Sequence, residues 1–302
     1  MKRMYIIILS IILVLAIIVC GFIIGIKTGI ITMPVPGENP NITLNTEKEP
    51  SSLDNPSVKP TEEKTTLPPD TTENKLNGKK LIALTFDDGP RTKNTSRIIN
   101  TLEQYGAKAT FFVIGKHIDD NPKENHELLN KAVKIGCEIG SHSYSHRNFS
   151  KLSDKEIVNE LDAVNKTIRE ATGNYPETFR APYGTYNDRV KQTVNMPFIQ
   201  WSIDTEDWKY KVTTNDKRST DEINADIQRV VDSVINHAKD GDIVLMHDFY
   251  SIAADACEII IPTLIDMGFE LVTVSELMEL RGIEMQAVQV YKNAHTSSGS
   301  RD

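Results

Sequence analysis

Three regimes of hydrophobic and polar patterning follow one another along the chain. The first runs from Tyr5 to Ile26, 22 residues that are apolar or small except Ser10, with Lys2 and Arg3 before them and Lys27 after. At about 1.5 Å per residue such a helix reaches roughly 33 Å, the depth of a bilayer core. Residues 1–32 are therefore expected to form a short cytoplasmic N-terminus and a single uncleaved transmembrane signal anchor. A cleaved signal peptide is the competing reading. It calls for a shorter apolar core and a small-residue cleavage site, and there is neither an Ala-x-Ala pattern nor a lipobox before Cys20. Basic residues ahead of the span favour a cytoplasmic N-terminus, which would leave the remainder outside the cell, facing the cell wall where one exists.

From Met33 to Gly78 the period vanishes. Eight of the fourteen prolines fall here among Thr, Glu, Asn and Ser. Such a composition cannot bury enough surface to offset its ordering entropy, so residues 33–78 are expected to be a disordered linker. From Lys79 to about residue 281 short apolar runs alternate with amphipathic ones. The predicted strands are Leu81 to Phe86, Ala109 to Ile114, Glu138 to Ser141, Thr178 to Arg180, Phe198 to Ile203, Ile243 to His247 and Glu270 to Thr273. Helical periods occupy Thr95 to Tyr105, Lys123 to Ile135, Ser153 to Thr172, Asp188 to Val194, Asp221 to Ala238 and Ala253 to Met267. Ser153 with Glu156 forms a capping-box signature, and Gly173 follows that helix as a stop. Strands alternating with helices predict an α/β fold with a parallel sheet, open or closed into a barrel. Residues 282–302 lack a clear period and are expected to fray as a C-terminal tail.

Composition removes some partners. With a formal charge of -8 the chain has no general attraction for nucleic acid. Three cysteines without zinc-ligand spacing give no framework: Cys20 lies in the apolar span, and Cys137 and Cys257 fall within predicted elements. No pattern specifies an oligomeric state.

In a parallel α/β fold the chemistry gathers at the carboxyl ends of the strands. Polar groups arrive there repeatedly: Asp87-Asp88, His142 to His146, Arg180, Asp204 to Asp207, and His247-Asp248. Adjacent acids at a strand end point in different directions, so one can ligate a cation while the other keeps a free carboxylate; a plain solvated Asp-Asp-Gly-Pro turn is the other reading. His142 and His146, four apart, share a face if the segment is a helical turn, and Asp88 would complete a two-histidine, one-carboxylate facial triad. Arg180 can hold Asp87 ionised, or it can simply be solvated. Asp207 can orient a histidine, with Trp208 beside it, or belong to an acidic loop. His247 ends a strong strand where a general acid fits. His117, His126, His237 and His295 are read as bystanders, and Asp204 as structural.

The segments TFDDGP, HSYSH, RAPYG, DTEDW and LMH, in this order over residues 80 to 280, resemble the polysaccharide deacetylases of carbohydrate esterase family 4. Among these the chain is most similar to membrane-anchored bacterial peptidoglycan N-acetylglucosamine deacetylases. The resemblance implies a distorted (β/α)7 barrel over residues 79–281. It implies Asp87 as general base, Asp88, His142 and His146 as metal ligands, and His247 as general acid. Arg180 would support Asp87 and Asp207 would support His247. The backbone N–H of Tyr183 would face the oxyanion, and Trp208 and Leu245 would line the acetyl pocket. A divalent metal is implied, zinc ahead of cobalt, nickel or iron, with peptidoglycan or a similar N-acetylated glycan as substrate. Other readings stand beside it: an esterase removing O-acetyl groups from xylan or another glycan, a catalytically silent wall-binding module, and a non-haem iron oxygenase built on the same triad. In the last two, Asp87 and His247 have no task.

Overall fold

The structure is a computed structural model, which describes residues 79–211 and 217–295. The expected membrane span and linker lie outside the described residues. Among the described residues no helix is long and apolar enough to cross a membrane.

Strand β1 (Lys80–Asp87) is the axis of the fold. It pairs in parallel along most of its length with β6 (Asp242–His247), from Ile82 opposite Asp242 to Asp87 opposite His247. Its other edge is shared. The upper half pairs with β2 (Thr110–Val113) and the lower half with β7 (Phe269–Leu271). β2 pairs with β3 (Glu138–Ser141), and β5 (Ile203–Asp204) with β6, all parallel. Beyond β3 the pairing continues through single bridges, Ser141 to Phe179 and Phe179 to Phe198. Phe198 begins β4 (Phe198–Ile199), which leads through Gln200 and Ser202 into β5. The ring thus returns to β6 and β1, and the seventh strand enters as a wedge below β2 instead of closing it. Where one strand was expected over residues 198–203, β4 and β5 are separated by a break; Thr178 to Arg180 contributes only the Phe179 bridges.

Alternation explains what each face of the ring carries, since successive side chains of a strand point to opposite sides. Ile82, Leu84 and Phe86 face outward into one cluster with Ile98, Leu102, Ile260 and Ile261. Those partners come from helices α1 (Thr92–Tyr105) and α7 (Ser251–Asp266). Leu81 and Ala83 face inward and meet Phe112, Ile199 and Ile243. The inward column of β1 therefore reads Leu81, Ala83, Thr85, Asp87, and that of β6 reads Ile243, Leu245, His247. Each starts apolar and ends polar at the same end of the ring. Between α1 and α7 along the chain come α2 (Gly115–Asp120), α3 (Pro122–Lys134), α4 (Asp154–Thr172), α5 (Asp188–Val194) and α6 (Thr220–Ile235). The capping box of Ser153 and Glu156 is formed at the start of α4, and Gly173 ends it at φ 82°.

Helix α8 (Val274–Leu280) has its own capping box, Thr273 with Glu276. Beyond it, the segment expected to fray is built into the fold as far as residue 295. Strand β8 (Val290–Tyr291) pairs with β4: the carbonyl of Gln289, just before it, accepts the Phe198 N–H and that of Tyr291 the Gln200 N–H. Ala294 is buried and donates its N–H to the Gly241 carbonyl at 2.7 Å. Gly241 permits this approach. At φ 93° it sits where side chains are strained, and a Cβ there would lie 2.6 Å from the Ala294 carbonyl oxygen. The reason for the difference is that β4 presents donors that need acceptors, a demand no hydrophobic period records.

Candidate active site

Asp87 stands at the top of the inward column of β1, above Thr85, and its position is set by Arg180. The guanidinium is fully buried, and its donors are spent on four acceptors. Nη1 donates to Asp87 Oδ1 at 2.8 Å and to Thr85 Oγ1 at 2.7 Å, Nε to the Ile199 carbonyl and Nη2 to the Gln200 carbonyl, each at 3.1 Å. The plane also lies 4.2 Å from the centre of the Phe112 ring. A charge buried this deeply is tolerated because four of its five N–H groups have acceptors and Asp87 supplies the countercharge; removing either partner of such a pair typically costs about 3–5 kcal/mol. One oxygen of Asp87 is thereby fixed. The other, Oδ2, faces His142 Nε2 at 3.7 Å.

The backbone turns out of β1 immediately afterwards, with Asp88 at φ 72°, so the two carboxylates part as adjacent acids at a strand end were expected to do. Asp88 Oδ1 lies 3.5 Å from His142 Nε2 and 3.3 Å from His146 Nε2. The histidines do not meet on a helical turn. Residues 142–148 form an irregular loop after β3 in which Ser143 and His146 take left-handed backbone, φ 70° and 57°. Its shape is held from within and from α4. Ser143 Oγ accepts the His146 N–H at 2.9 Å, and the buried Glu160 carboxylate accepts the N–H groups of Tyr144 and Ser145 at 3.0 and 2.8 Å. His142 Nδ1 faces the Arg180 carbonyl at 2.8 Å and so donates its proton there, which turns Nε2 toward Asp88.

These three side chains fit a divalent cation. One ligand atom from each lies within 4.8 Å of the others, and Asp88 Oδ1 is buried with no hydrogen-bond partner. Burial works against the Asp88 anion, but the His142 ring facing it at 3.5 Å and the charges of His146 and His247 hold the carboxyl well below its usual range. Burial, together with the charge of His142, pushes His146 down. For His142 burial is outweighed by the anions of Asp87 and Asp88, which push the ring up, so a cation binding there displaces a proton from that ring.

Across the cleft stands His247, at the top of the inward column of β6. Asp207, fully buried in a short turn (Asp207–Lys209), accepts both its backbone N–H and its Nδ1–H at 2.7 Å. Nε2 is left for the cleft. Burial disfavours the charged ring, yet the hydrogen bond and charge of Asp207, with Asp87 and Asp88 behind it, raise its pKa to about 9. The cleft itself encloses about 450 Å³ between Asp87, Asp88, His142, His146, His247, Leu245, Tyr183, Gly184, Trp201, Asp204, Trp208 and Tyr250. Every residue singled out in the sequence thus reaches one place, Arg180 and Asp207 from behind the wall. Tyr183 sits at φ 61° with its ring 4.5 Å from that of His146.

Four participants went unread. Trp201 and Tyr250 line the cleft; each lies three residues from an acid or histidine already singled out. His117, taken as a bystander, holds the Asp88 carbonyl through Nδ1 at 2.7 Å. Glu160 looks in sequence like any helical surface acid. Asp204, read as structural, accepts the Glu206 N–H at 2.9 Å and also lines the cleft.

A parallel α/β ring with a two-histidine, one-aspartate cluster and a carboxylate-paired histidine at its carboxyl-terminal mouth defines a class of proteins suited to hydrolytic chemistry. Comparison with known proteins narrows it. The family model for polysaccharide deacetylases matches residues 74–197. A peptidoglycan-N-acetylglucosamine deacetylase of Bacillus cereus is 35% identical over 213 residues, 68% of this chain and 91% of that protein. The chain belongs to the polysaccharide deacetylase family. The peptidoglycan-N-acetylglucosamine deacetylase PgdA of Listeria monocytogenes is 39% identical over 198 residues, 66% of this chain; the match spans only 39% of the length of that relative. Among solved structures, a family 4 acetyl xylan esterase from Clostridium thermocellum in complex with a cobalt ion superposes with a TM-score of 0.62 at 31% identity, over 71% of this chain and 98% of that one.

Proposed function

We propose that this chain is a metal-dependent deacetylase of cell-wall glycan, removing N-acetyl groups from the N-acetylglucosamine residues of peptidoglycan and leaving free amines. The observation that carries the reading is the placing of a carboxylate and an imidazole across one cleft, each held by a buried partner of opposite charge. Asp87 is held by Arg180 with one oxygen free, and His247 is held by Asp207 with one ring nitrogen free. A divalent cation at Asp88, His142 and His146, zinc in the first instance, supplies Lewis acidity toward the acetamide carbonyl and lowers the pKa of water bound to it.

The protein groups do the rest. Asp87 Oδ2 takes a proton from the attacking water, Oδ1 being occupied by Arg180. As the C–N bond breaks, His247 Nε2 delivers its proton to the departing nitrogen, which leaves poorly as an anion. Asp207 keeps the Nδ1 proton in place and compensates the imidazolium. Leu245 and Trp208 flank the acetyl group, and the Tyr183 N–H is assigned to the developing oxyanion. Acetate leaves, and the glycan retains an amine that is cationic at neutral pH.

Residues 5–26 are assigned as a membrane anchor and residues 33–78 as its tether, which would hold the domain outside the membrane facing the wall. Their apolar and proline-rich compositions support this. A test of the whole reading is acetate release from purified N-acetylated peptidoglycan by the full chain, stripped of metal and then given zinc. Zinc-dependent release that Asp88→Ala abolishes is the expected result; no release with any divalent metal overturns it. Likeness to an acetyl xylan esterase favours a second reading, O-deacetylation, and faster turnover of acetylated xylan than of peptidoglycan in the same assay would select it.

A further inference from the structure

Beside the catalytic cleft lies a second hollow of about 630 Å³. The two share one wall, the side chain of Tyr250, whose ring is 6.3 Å from that of His247. This hollow carries no reactive cluster. Its character is cationic and aromatic: Arg91, Lys93 and Lys211 line it with Phe249 and Tyr250, and among the described residues Asp120 is its one carboxylate. Among the described residues none of these three cations is in a salt bridge, although the chain as a whole carries a charge of -8 and pairs most of its other arginines. Two of the cations lie against rings instead. The Arg91 guanidinium is 4.3 Å from the centre of Phe249, and Lys211 Nζ is 5.3 Å from the centre of Tyr250. Rings hold these chains in place without neutralising them. Helices α1 and α7 also begin at this hollow, at Arg91 and Tyr250, and neither start has a side-chain cap, which adds partial positive charge to the same space.

Because Tyr250 lines both spaces, a glycan chain seated in the catalytic cleft could extend over it into this hollow. We infer that the hollow is a subsite for an acidic sugar of that chain, one bearing a carboxylate next to the N-acetylated sugar being attacked. Phe249 and Tyr250 supply apolar faces for the sugar, and Arg91, Lys93 and Lys211 face its carboxylate. The inference rests on the deacetylase reading and narrows it. Substrate choice would come from the neighbouring acidic sugar, which the backbone of peptidoglycan has and the backbone of xylan or a homopolymer of N-acetylglucosamine does not. The carboxylate can come from the lactyl ether of a muramic acid or from a stem peptide attached to it.

The test uses three hexasaccharides with the full chain in zinc. One is a neutral N-acetylglucosamine hexamer, one alternates N-acetylglucosamine with N-acetylmuramic acid, and one is that second hexamer carrying stem peptides. Acidic hexamers are expected to show a KM about tenfold below that of the neutral one, and Arg91→Ala with Lys211→Ala is expected to remove the advantage while leaving turnover of the neutral hexamer within about twofold. Arg91→Lys should retain it. Which acidic hexamer gains identifies the source of the carboxylate. Equal KM values for all three, or equal losses on all three in the double variant, overturn the inference. Should the double variant fold poorly, raising the salt with the unmodified protein serves instead: only the acidic hexamers should lose affinity. Equilibrium binding of the same hexamers, measured without turnover, keeps the subsite separate from the chemistry. Preferential binding of acidic hexamers without acetate release would sink the deacetylase and spare the subsite, and release without preference would do the reverse.

Discussion

Strand β6 has an aspartate–histidine pair at each end, and in both the contact is 2.7 Å. At the carboxyl end the histidine, His247, belongs to the strand and Asp207 comes from a loop. At the amino end the aspartate, Asp242, belongs to the strand and His295 comes from the C-terminal segment. Their chemistry is alike and their surroundings are not. Asp207 spends both oxygens on His247, through Nδ1 and the backbone N–H, so the free Nε2 points into a cleft that holds the carboxylates of Asp87 and Asp88. Asp242 instead divides itself among the Ser202 hydroxyl, the Lys239 N–H and His295 Nε2, and the His295 side chain is 41% exposed. One pair tunes a proton, while the other fastens the chain. A close Asp–His contact identifies a catalytic group only where the ring's second nitrogen opens onto something that can react.

The sharpest way to break that contrast is Asp207→Asn. The amide cannot compensate the imidazolium, so His247 falls from about 9 toward or below the ordinary histidine value. A general acid works while protonated, so the alkaline limb of kcat/KM should move to lower pH by more than one unit. Turnover at pH 8 should drop about 100-fold or more. The pH profile of acetate release measures both. An unmoved alkaline limb would mean that Asp207 only props the loop, and the two ends of β6 would then be equivalent.

A second variant asks what a carboxylate at the active end costs when it lacks a cation. Asp248 follows His247, is fully buried, receives a hydrogen bond from Thr95 at 2.5 Å on Oδ2 and has no partner on Oδ1. Burial pushes its carboxyl up from 3.8 to about 7. With the folded value above the unfolded one, its contribution is whole below about pH 4 and is lost as the pH rises toward 7. Asp248→Asn stays neutral throughout. It should raise stability at pH 8 by roughly 2–4 kcal/mol and leave it almost unchanged at pH 4, as read from urea unfolding. A gain that does not vary with pH would show that packing, and not ionisation, sets the cost.

How far such distinctions are legible in sequence depends on which interaction carries them. The inward column of Leu81, Ala83, Thr85 and Asp87 follows from alternation once the strand is recognised, although the strand itself, buried on both faces, reads as a continuous apolar run. His247 is legible because it ends the apolar run Ile243 to Met246, and Arg180 and His142 because each ends or directly follows a predicted strand. Glu160 is not, because a glutamate on an amphipathic helix looks solvated until the loop it grips is in place. The left-handed turns at Ser143 and His146 are equally silent, since neither residue is a glycine. Nor does the entry of β7 below β2 leave a trace, because pairing partners of parallel strands are chosen by packing rather than by local pattern. Residues 288–295 look frayed in sequence for the same reason: what holds them is the unmet donors of β4 and the bare Cα of Gly241.

The smallest predicted effect tests the passive end of β6. In His295→Ala the Asp242 carboxylate loses the imidazole but still accepts the Ser202 hydroxyl and the Lys239 N–H, so no buried charge is left without partners. Because the histidine is largely solvated, the pair contributes little, and unfolding in urea should show a loss below about 1 kcal/mol. The Ala294 N–H still reaches the Gly241 carbonyl, so the C-terminal segment should stay seated. Acetate release should keep its rate and both limbs of its pH profile. A tenfold fall in turnover, or an alkaline limb displaced as in Asp207→Asn, would mean that charge at the amino end of β6 is felt by His247 through the strand. The distinction between a fastening pair and a proton-tuning pair would then have to be abandoned.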